Sequence, residues 1–351
     1  MTLSNAIKVR HHLDELRIDY FLVSNLVNIQ YLTGLQSTNA LLLVSPEKMY
    51  VFTDPRYEHE SQQISGFNIE IGRDLLGMAI NHLKADGKLC VDETLSYLQF
   101  KRINEKLPEL LVETQSKLIE TLRLVKSESE LKCITQACAI TSNVWEALVK
   151  EPFIGKSEIQ IARRIQSLIL DFGGDGLAFE SIVAAGANSA SPHHTPADYV
   201  IQSGDLIKCD FGAKFRNYHS DMTRMAVAGV ANLWQQEIFD IVLEAQSAAV
   251  AALRPGIASS DIDSAARSVI REAGYADAFT HPTGHGIGLE IHEIPIHGSQ
   301  DATLCPAMTL TVEPGIYLEG RGGVRLEDTL VVLEEGSQNL TMASKALAQV
   351  E

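Results

Sequence analysis

The first third of the chain carries short apolar runs separated by polar, periodic stretches. Ser4 precedes Ile7, Leu13 and Leu16, whose spacing predicts a helix to about Arg17 with those three side chains inward. Residues 18–23, 40–44 and 49–53 are apolar runs of strand length, the last two joined through a Ser45-Pro46-Glu47 turn. Asp54-Pro55-Arg56-Tyr57 starts a further helix, and strands and helices alternate to about Leu122. This pattern predicts an α/β domain over residues 1–122. His11, His12, His59 and His82 read as solvated, and Arg56 and Tyr57 as a structural ion pair and a packed ring.

The pattern changes after Leu122. Ser127-Glu128-Ser129-Glu130 has the spacing of a capping box, and Leu131, Ile134, Cys138, Val144, Trp145 and Leu148 follow at helical spacing. Two later helix starts resemble each other. Residues 157–164 and 260–267 both read Ser-acid-Ile-x-x-Ala-x-Arg, and a glycine stands ahead of each. Ordinary helix-start preferences account for the Ser and the acid, and less well for the Ala and Arg. The reading is a second domain, residues 123–351, with duplicated halves in pseudo-two-fold symmetry.

Within that domain, residues 206–211 read as a strand with Lys208 and Asp210 on one face and Cys209 and Phe211 on the other. The chain between Asp210 and Asp221 suits a hairpin that brings the two carboxylates together, where they repel unless cations are present. Residues 308–312 and 324–332 also read as strands. Glu313 ends the first, and Arg325, Glu327 and Thr329 share a face of the second. Isolated acids on inward faces of apolar strands need a partner, because buried charge is costly.

Composition narrows the partners. A formal net charge of -16 argues against nucleic-acid binding and suits metal cations and amine-bearing ligands. The five cysteines have no CxxC spacing and read as reduced and mostly buried. The amino terminus lacks the basic, apolar pattern of a secretory leader, and no apolar run is long enough for a membrane span. A cytoplasmic protein is expected.

Residues 280–328 concentrate the chemistry: His285 between Gly284 and Gly286, then His292, Glu313 and Glu327. With Asp210 and Asp221, the set of four carboxylates and one imidazole is oxygen-rich and holds no thiolate. It suits two divalent cations, Mn²⁺ or Co²⁺ better than a structural zinc.

The spacing of these residues resembles the proline-specific branch of the pita-bread metallopeptidases, the Xaa-Pro aminopeptidases and Xaa-Pro dipeptidases (prolidases). Asn28-Ile29-Gln30-Tyr31-Leu32-Thr33-Gly34 and Thr53-Asp54-Pro55-Arg56-Tyr57 resemble the family's creatinase-type domain. Val125-Lys126-Ser127 is similar to its domain junction, and residues 179–186 to the strand before its substrate site. The resemblance implies an α/β N-terminal creatinase-like domain followed by an α+β pita-bread catalytic domain with an internal pseudo-two-fold repeat. It makes Asp210, Asp221, His285, Glu313 and Glu327 ligands of two divalent metal ions, Mn²⁺ first and Co²⁺ or Zn²⁺ as alternatives. His193 and His292 become substrate-side residues that stabilise the transition state, and Glu313 doubles as general base. Tyr317 and Arg325 orient the ligands.

The implied activity is hydrolysis of the bond between an N-terminal residue and a following proline in a peptide, by a metal-bridging hydroxide, in a homodimer. The choice of dipeptidase or aminopeptidase is left to how the first domain of a neighbouring subunit walls off the site. Alternatives within the fold are a hydrolase or lyase acting on a small osmolyte, and a non-catalytic peptide-binding protein. Pro282, Asn217 and Ser191 depart from the family pattern without removing a ligand. His194 and His297 read as ordinary polar residues, and His219 and His281 as structural.

Overall fold

The computed structural model describes residues 2–299 and 301–351 and separates into two compact units, Met1–Leu122 and Arg123–Glu351. The first unit runs α1 Thr2–Leu16, β1 Tyr20–Val23, α2 Leu26–Thr33, β2 Ala40–Val44, β3 Met49–Thr53, α3 Glu58–Ser61, β4 Asn68–Ile71 and α4 Leu75–Ile80. It continues through β5 Lys88–Val91, α5 Tyr97–Lys106 and β6 Leu111–Thr114 into α6 Leu118–Arg123. Its single sheet has the order β4-β3-β2-β1-β5-β6. The β1–β2 and β2–β3 pairs are antiparallel, and the other three are parallel. Leu22, Leu43, Phe52, Leu89 and Ile103 form the centre of its core.

Two expectations for this unit need correction, the start and stripe of its first helix and the setting of His82. Helix α1 begins before Ser4, and its buried stripe is Ala6, Val9 and Leu13. Ile7 falls off that stripe and Leu16 sits in the last turn, so both are exposed. Asp54-Pro55-Arg56-Tyr57 does start a helix, capped by the Asp54 side chain: a 3-10 turn over residues 55–57 that runs on into α3. His82 is not simply solvated: it packs 4.0 Å from the Tyr50 ring and pairs with Glu70 at 2.7 Å. Arg56 does form the ion pair, with Asp54 at 2.7 Å.

The second unit repeats one plan twice. The first half has α7 Glu128–Leu148 and α8 Glu158–Asp171, then β7 Gly176–Leu177, β8 Ile182–Ala185, β9 Leu206–Phe211, β10 Ala213–Phe215, β11 Tyr218–His219 and β12 Met222–Ala228. The second half has α9 Leu233–Ala252 and α10 Ser259–Glu272, then β13 His285–Gly286, β14 Glu293–Ile296 and β15 Thr309–Val312. It closes with β16 Gly315–Leu318, β17 Gly322–Arg325, β18 Asp328–Val332, β19 Ser337–Asn339 and β20 Ala348–Val350. The helix pairs have 21 and 14 residues in one half, and 20 and 14 in the other.

Each half has its own core. In the first, Val144, Trp145, Ile161 and Ile165 pack on Val183, Cys209 and Phe211. In the second, Ile238, Val242, Ile262 and Ile270 pack on Leu310, Val312 and Leu330. Strand β9 alternates between them: Cys209 and Phe211 enter the first core, whereas Leu206 joins the second. Lys208 and Asp210 share the parity of Leu206 and so face the second half.

Ser157 caps α8, and residues 260–267 open α10, which starts one residue earlier at Ser259. One sequence expectation fails here for an identifiable reason. Residues 324–332 are two strands. β17 pairs with β16 in a ribbon, β18 pairs with β15, and the chain changes partner at Leu326-Glu327. The alternation of Val324 and Leu326 stops at Asp328, so the change of partner falls where Glu327-Asp328-Thr329 interrupts the apolar pattern. Cys90, Cys138 and Cys209 are buried, Cys133 is half-buried and Cys305 exposed, all as free thiols. No helix of the described residues is long and apolar enough to cross a membrane.

Candidate metal centre and active-site cleft

Strands β9 and β12 pair with Phe211 opposite Met222 and Asp210 opposite Thr223. Between them β10 and β11 form a tight hairpin whose turn residues, Arg216 and Asn217, have φ of 49° and 67°. Asparagine tolerates that left-handed conformation, so Asn217 serves where a glycine is common. The hairpin leaves Asp210 and Asp221 buried near its base. The Asp221 backbone N–H donates to Thr329 Oγ1 at 3.3 Å, and Thr329 Oγ1 donates back to the Asp221 carbonyl at 2.9 Å. Thr329 of β18 thereby ties the hairpin to the second half.

His285 comes from β13, which is sandwiched between β14 and β15. A Cβ at Gly284 would lie 2.1 Å from the Thr311 carbonyl oxygen, and one at Gly286 would lie 2.4 Å from that of Ile294. Glycine is required on both sides because neighbouring backbones approach there. The His285 N–H donates to Thr311 Oγ1 at 3.0 Å. Its Nδ1 lies 2.9 Å from the Gly286 carbonyl, an acceptor only, so Nδ1 carries the proton and Nε2 keeps its lone pair. That Nε2 is 3.7 Å from Asp221 Oδ2 and 3.5 Å from Glu313 Oε1.

Glu313 follows β15, fixed by its N–H donating to the Thr283 carbonyl at 2.7 Å. Glu327 stands at the break between β17 and β18. Its N–H donates to the Thr223 carbonyl at 3.2 Å, and its Oε2 accepts from Thr223 Oγ1 at 2.8 Å. Asp221, His285 and Glu327 each offer a ligand atom within 4.8 Å of the others, the arrangement of a metal-binding triad.

The electrostatics are those of a site built for cations. Burial, then the Asp210 and Glu313 charges, push the Asp221 pKa well above the carboxylate range. Burial, then Asp221, Glu313 and Asp210, do the same to Glu327. Burial raises Glu313 to about 7, despite the nearby Arg325 guanidinium. Burial and the neighbouring His292 lower His285 to about 3, which keeps the imidazole neutral and able to ligate. One oxygen each of Asp210, Asp221 and Glu327 is buried without a hydrogen-bond partner. Buried orphan oxygens on repelling carboxylates, beside a neutral imidazole, fit divalent cations.

Arg325 braces the set. Its Nη2 donates to Asp210 Oδ2, its Nε donates to Thr223 Oγ1 at 3.0 Å, and Nε lies 3.8 Å from Glu313 Oε2. Its Nη1 donates to the Tyr317 hydroxyl at 3.0 Å, which also meets His281 Nε2 at 2.8 Å. His281 thus acts on the same bracing pair and borders the cleft.

The carboxylates open into a cleft of about 790 Å³. His193 and His292 line it, both exposed, and the His292 ring stands 4.4 Å from that of His285 at 70°. Asp210, Asp221, His285, Glu313, Arg325 and Glu327 line it too. Tyr317 does not, and reaches the site only through Arg325 and His281.

The sequence reading missed several supporting residues. His297 is not an ordinary polar residue: it is fully buried, with Nε2 3.2 Å from the Thr311 carbonyl under β15. His194 Nε2 meets Glu158 Oε2 at 2.7 Å, and Glu158 is itself fully buried. Lys208 is fully buried as well, and its Nζ donates to the Ser189, Ser191 and Pro192 carbonyls. Burial and the Arg325 charge pull the Lys208 pKa well down, whereas three carbonyl acceptors favour the ammonium. The one available signal was parity, which put Lys208 on the inward face with Asp210.

An α/β unit, a duplicated α+β pita-bread unit and an Asp/His/Glu metal triad in a cleft define a metal-dependent hydrolase. Residues 132–334 match metallopeptidase family M24, and residues 7–125 match the Creatinase/Prolidase N-terminal domain. The chain belongs to metallopeptidase family M24. It is 35% identical to the Xaa-Pro dipeptidase of Pyrococcus furiosus over 342 residues, covering 97% of this chain and 98% of that one. It superimposes on the Xaa-Pro dipeptidase from Bacillus anthracis with a TM-score of 0.96 and 34% identity, covering 100% of both chains. The X-Pro aminopeptidase from Thermotoga maritima gives 0.88 and 33%, covering 97% of this chain and 100% of that one.

Proposed function

We propose that this metallopeptidase hydrolyses the peptide bond between an N-terminal residue and a following proline. We assign Asp210, Asp221, His285, Glu313 and Glu327 as ligands of two divalent cations, Mn²⁺ first by the hard, oxygen-rich donor set. The observation that carries this reading is the three buried carboxylate oxygens without partners, on Asp210, Asp221 and Glu327, in the cleft that the neutral His285 also lines. When bound, the ions supply a hydroxide at neutral pH and polarise the scissile carbonyl.

The chain's own groups do the rest. Glu313 is the group that holds the proton released at the start of the reaction and passes it to the proline nitrogen. His193 and His292 donate to the oxygen on which charge develops. Arg325, locked by Tyr317, keeps Asp210 and Glu313 in place. The acidic cleft favours the free α-amine of the substrate, which directs cleavage to the first bond. The free thiols suit a reducing cytoplasm, and we assign the protein there as a homodimer. Leu122 marks the end of a creatinase-type domain and the start of the catalytic one.

The test is cleavage of Ala-Pro and Ala-Pro-Ala after chelation and readdition of Mn²⁺, Co²⁺ or Zn²⁺. Release of free alanine from either peptide, restored by metal, is the expected result. Turnover of small zwitterions with no cleavage of either peptide under any metal would replace this reading with an osmolyte enzyme.

A further inference from the structure

His193 is exposed, and no described residue gives it a hydrogen bond. Its placement is therefore inherited from the segment that carries it, which begins after β8 and returns to the start of α8. Two fully buried charged side chains, Glu158 and Lys208, direct all of their described hydrogen bonds to the backbone and side chains around that segment.

Glu158 is the first residue of α8. Its Oε1 accepts from the Ala185 N–H at 2.7 Å and from Asn188 Nδ2 at 3.0 Å. Its Oε2 accepts from the Ala197 N–H at 2.9 Å and lies 2.7 Å from His194 Nε2. A carboxylate only accepts, so His194 carries its proton on Nε2. The Glu158 and Ile159 N–H groups also donate to the carbonyls of Tyr199 and Ala197, at 3.1 and 3.3 Å. One residue thus grips the segment on both sides of His193.

Lys208, on β9, approaches from the other direction. Its Nζ donates to the Ser191 carbonyl at 2.5 Å and to those of Ser189 and Pro192 at 3.3 Å. Arg325 Nη1 adds a bond to the Pro192 carbonyl at 3.1 Å. Burying a carboxylate and an amine is costly without full pairing, and charge-assisted bonds to one segment fix it firmly.

We infer that Glu158 and Lys208 are positioning residues that hold His193 over the cleft. The inference rests on the catalytic part given to His193 above. It explains why α8, which lends Ile159, Ala162 and Arg163 to the cleft wall, begins with a buried acid. It also accounts for His194, whose ring is one of four pegs on the Glu158 carboxylate.

The test is Glu158→Gln, with His194→Ala and Lys208→Arg as milder variants should the first not fold, each compared with His193→Ala. Hydrogen exchange is followed over residues 186–199, together with kcat, KM and metal content. In Glu158→Gln, exchange in that segment rises at least tenfold, kcat falls about 10–100-fold, and KM and metal content stay within about twofold. The double variant with His193→Ala loses no more kcat than His193→Ala alone, because both changes remove one action. Unchanged protection of the segment, or losses that multiply in the double variant, overturns the inference. If the wild-type protein cleaves no Xaa-Pro bond, the functional reading fails, and the exchange result still decides whether Glu158 holds the segment.

Discussion

Arg325 donates through Nη1 to the Tyr317 hydroxyl at 3.0 Å, while Nη2 of the same guanidinium donates to Asp210. The planar fork spans both partners at once, which a single ammonium cannot do. Arg325→Lys keeps the charge and loses the geometry. It is expected to weaken metal affinity about 10–100-fold. Metal titration followed by elemental analysis measures this, and affinity equal to wild type would show that Asp210 orients itself.

The carboxylates predict opposite effects of one substitution with and without metal. Asp221 and Glu327 have raised pKa values, through burial and then the charges of neighbouring carboxylates, Asp210 and Glu313 for the first and Asp221, Glu313 and Asp210 for the second. An acid with a raised folded-state pKa costs stability once pH climbs past its ordinary range, in full above the raised value. In chelated protein at pH 7, Glu327→Gln is therefore expected to raise Tm, by about 2–4 °C for each kcal/mol of repulsion relieved. With metal restored, the variant gains less Tm than wild type and loses peptide cleavage. His285→Ala likewise abolishes metal-dependent cleavage while the chain stays folded. A chelated Glu327→Gln protein that melts below chelated wild type contradicts the argument.

The candidate ligands were legible as a set and not singly, because four carboxylates and one imidazole recur at a spacing that resembles a known family. Asp210 and Asp221 flank a turn, and Glu313 follows an apolar strand. The break at Leu326-Glu327 had a signal in the chain, because the alternation of Val324 and Leu326 stops at Asp328, where the strand partner changes. Buried supports carried no such signal. Glu158 looks like an ordinary first-turn acid and His297 like a polar residue near a turn, and only the packing around them shows their burial. In α1, Ala6 and Val9 were passed over for the larger Ile7 and Leu16, although small side chains made the contact stripe.

A second pH effect lies away from the metal ligands. Glu293 accepts from Arg123 at 2.5 Å and from Lys126 at 3.1 Å, all three side chains being buried. Burial alone would raise the Glu293 pKa, but the Lys126 and Arg123 charges and their hydrogen bonds hold it at about 2. A depressed carboxyl stabilises the fold fully above its unfolded value of about 4.3 and loses that contribution as pH falls through the folded value. Glu293→Gln is expected to cost up to about 3–5 kcal/mol at pH 7, because it removes the buried carboxylate that Lys126 and Arg123 share, although Arg123 keeps its pair with Glu290. The gap to wild type narrows below pH 4. Denaturant unfolding at pH 7 and pH 3 measures it, and an equal gap at both would show that the ion pair is not its source.

Gly212 offers the sharpest link between sequence, fold and site. It lies two residues after Asp210, and a Cβ there would sit 1.8 Å from the Ser220 carbonyl oxygen. Ser220 immediately precedes Asp221. Its Oγ accepts from the Ala213 N–H at 3.0 Å, and its own N–H donates to the Ala213 carbonyl at 3.0 Å. The two arms that deliver Asp210 and Asp221 thus touch backbone to backbone at Gly212, and backbone cannot swing aside as a side chain would. Gly212→Ala must push the arms apart. It is expected to cost about 1–3 kcal/mol as overpacking and to lower metal affinity well beyond what that loss of stability explains. Gly155→Ala is the control. Gly155 has φ of 83° with nothing within 4 Å of the added carbon, so it carries backbone strain without displacing a ligand. Its cost is about 1 kcal/mol, with metal affinity unchanged. Equal metal affinity in the two variants, measured by titration into chelated protein, would mean that the carboxylates find their positions without the close contact at Gly212.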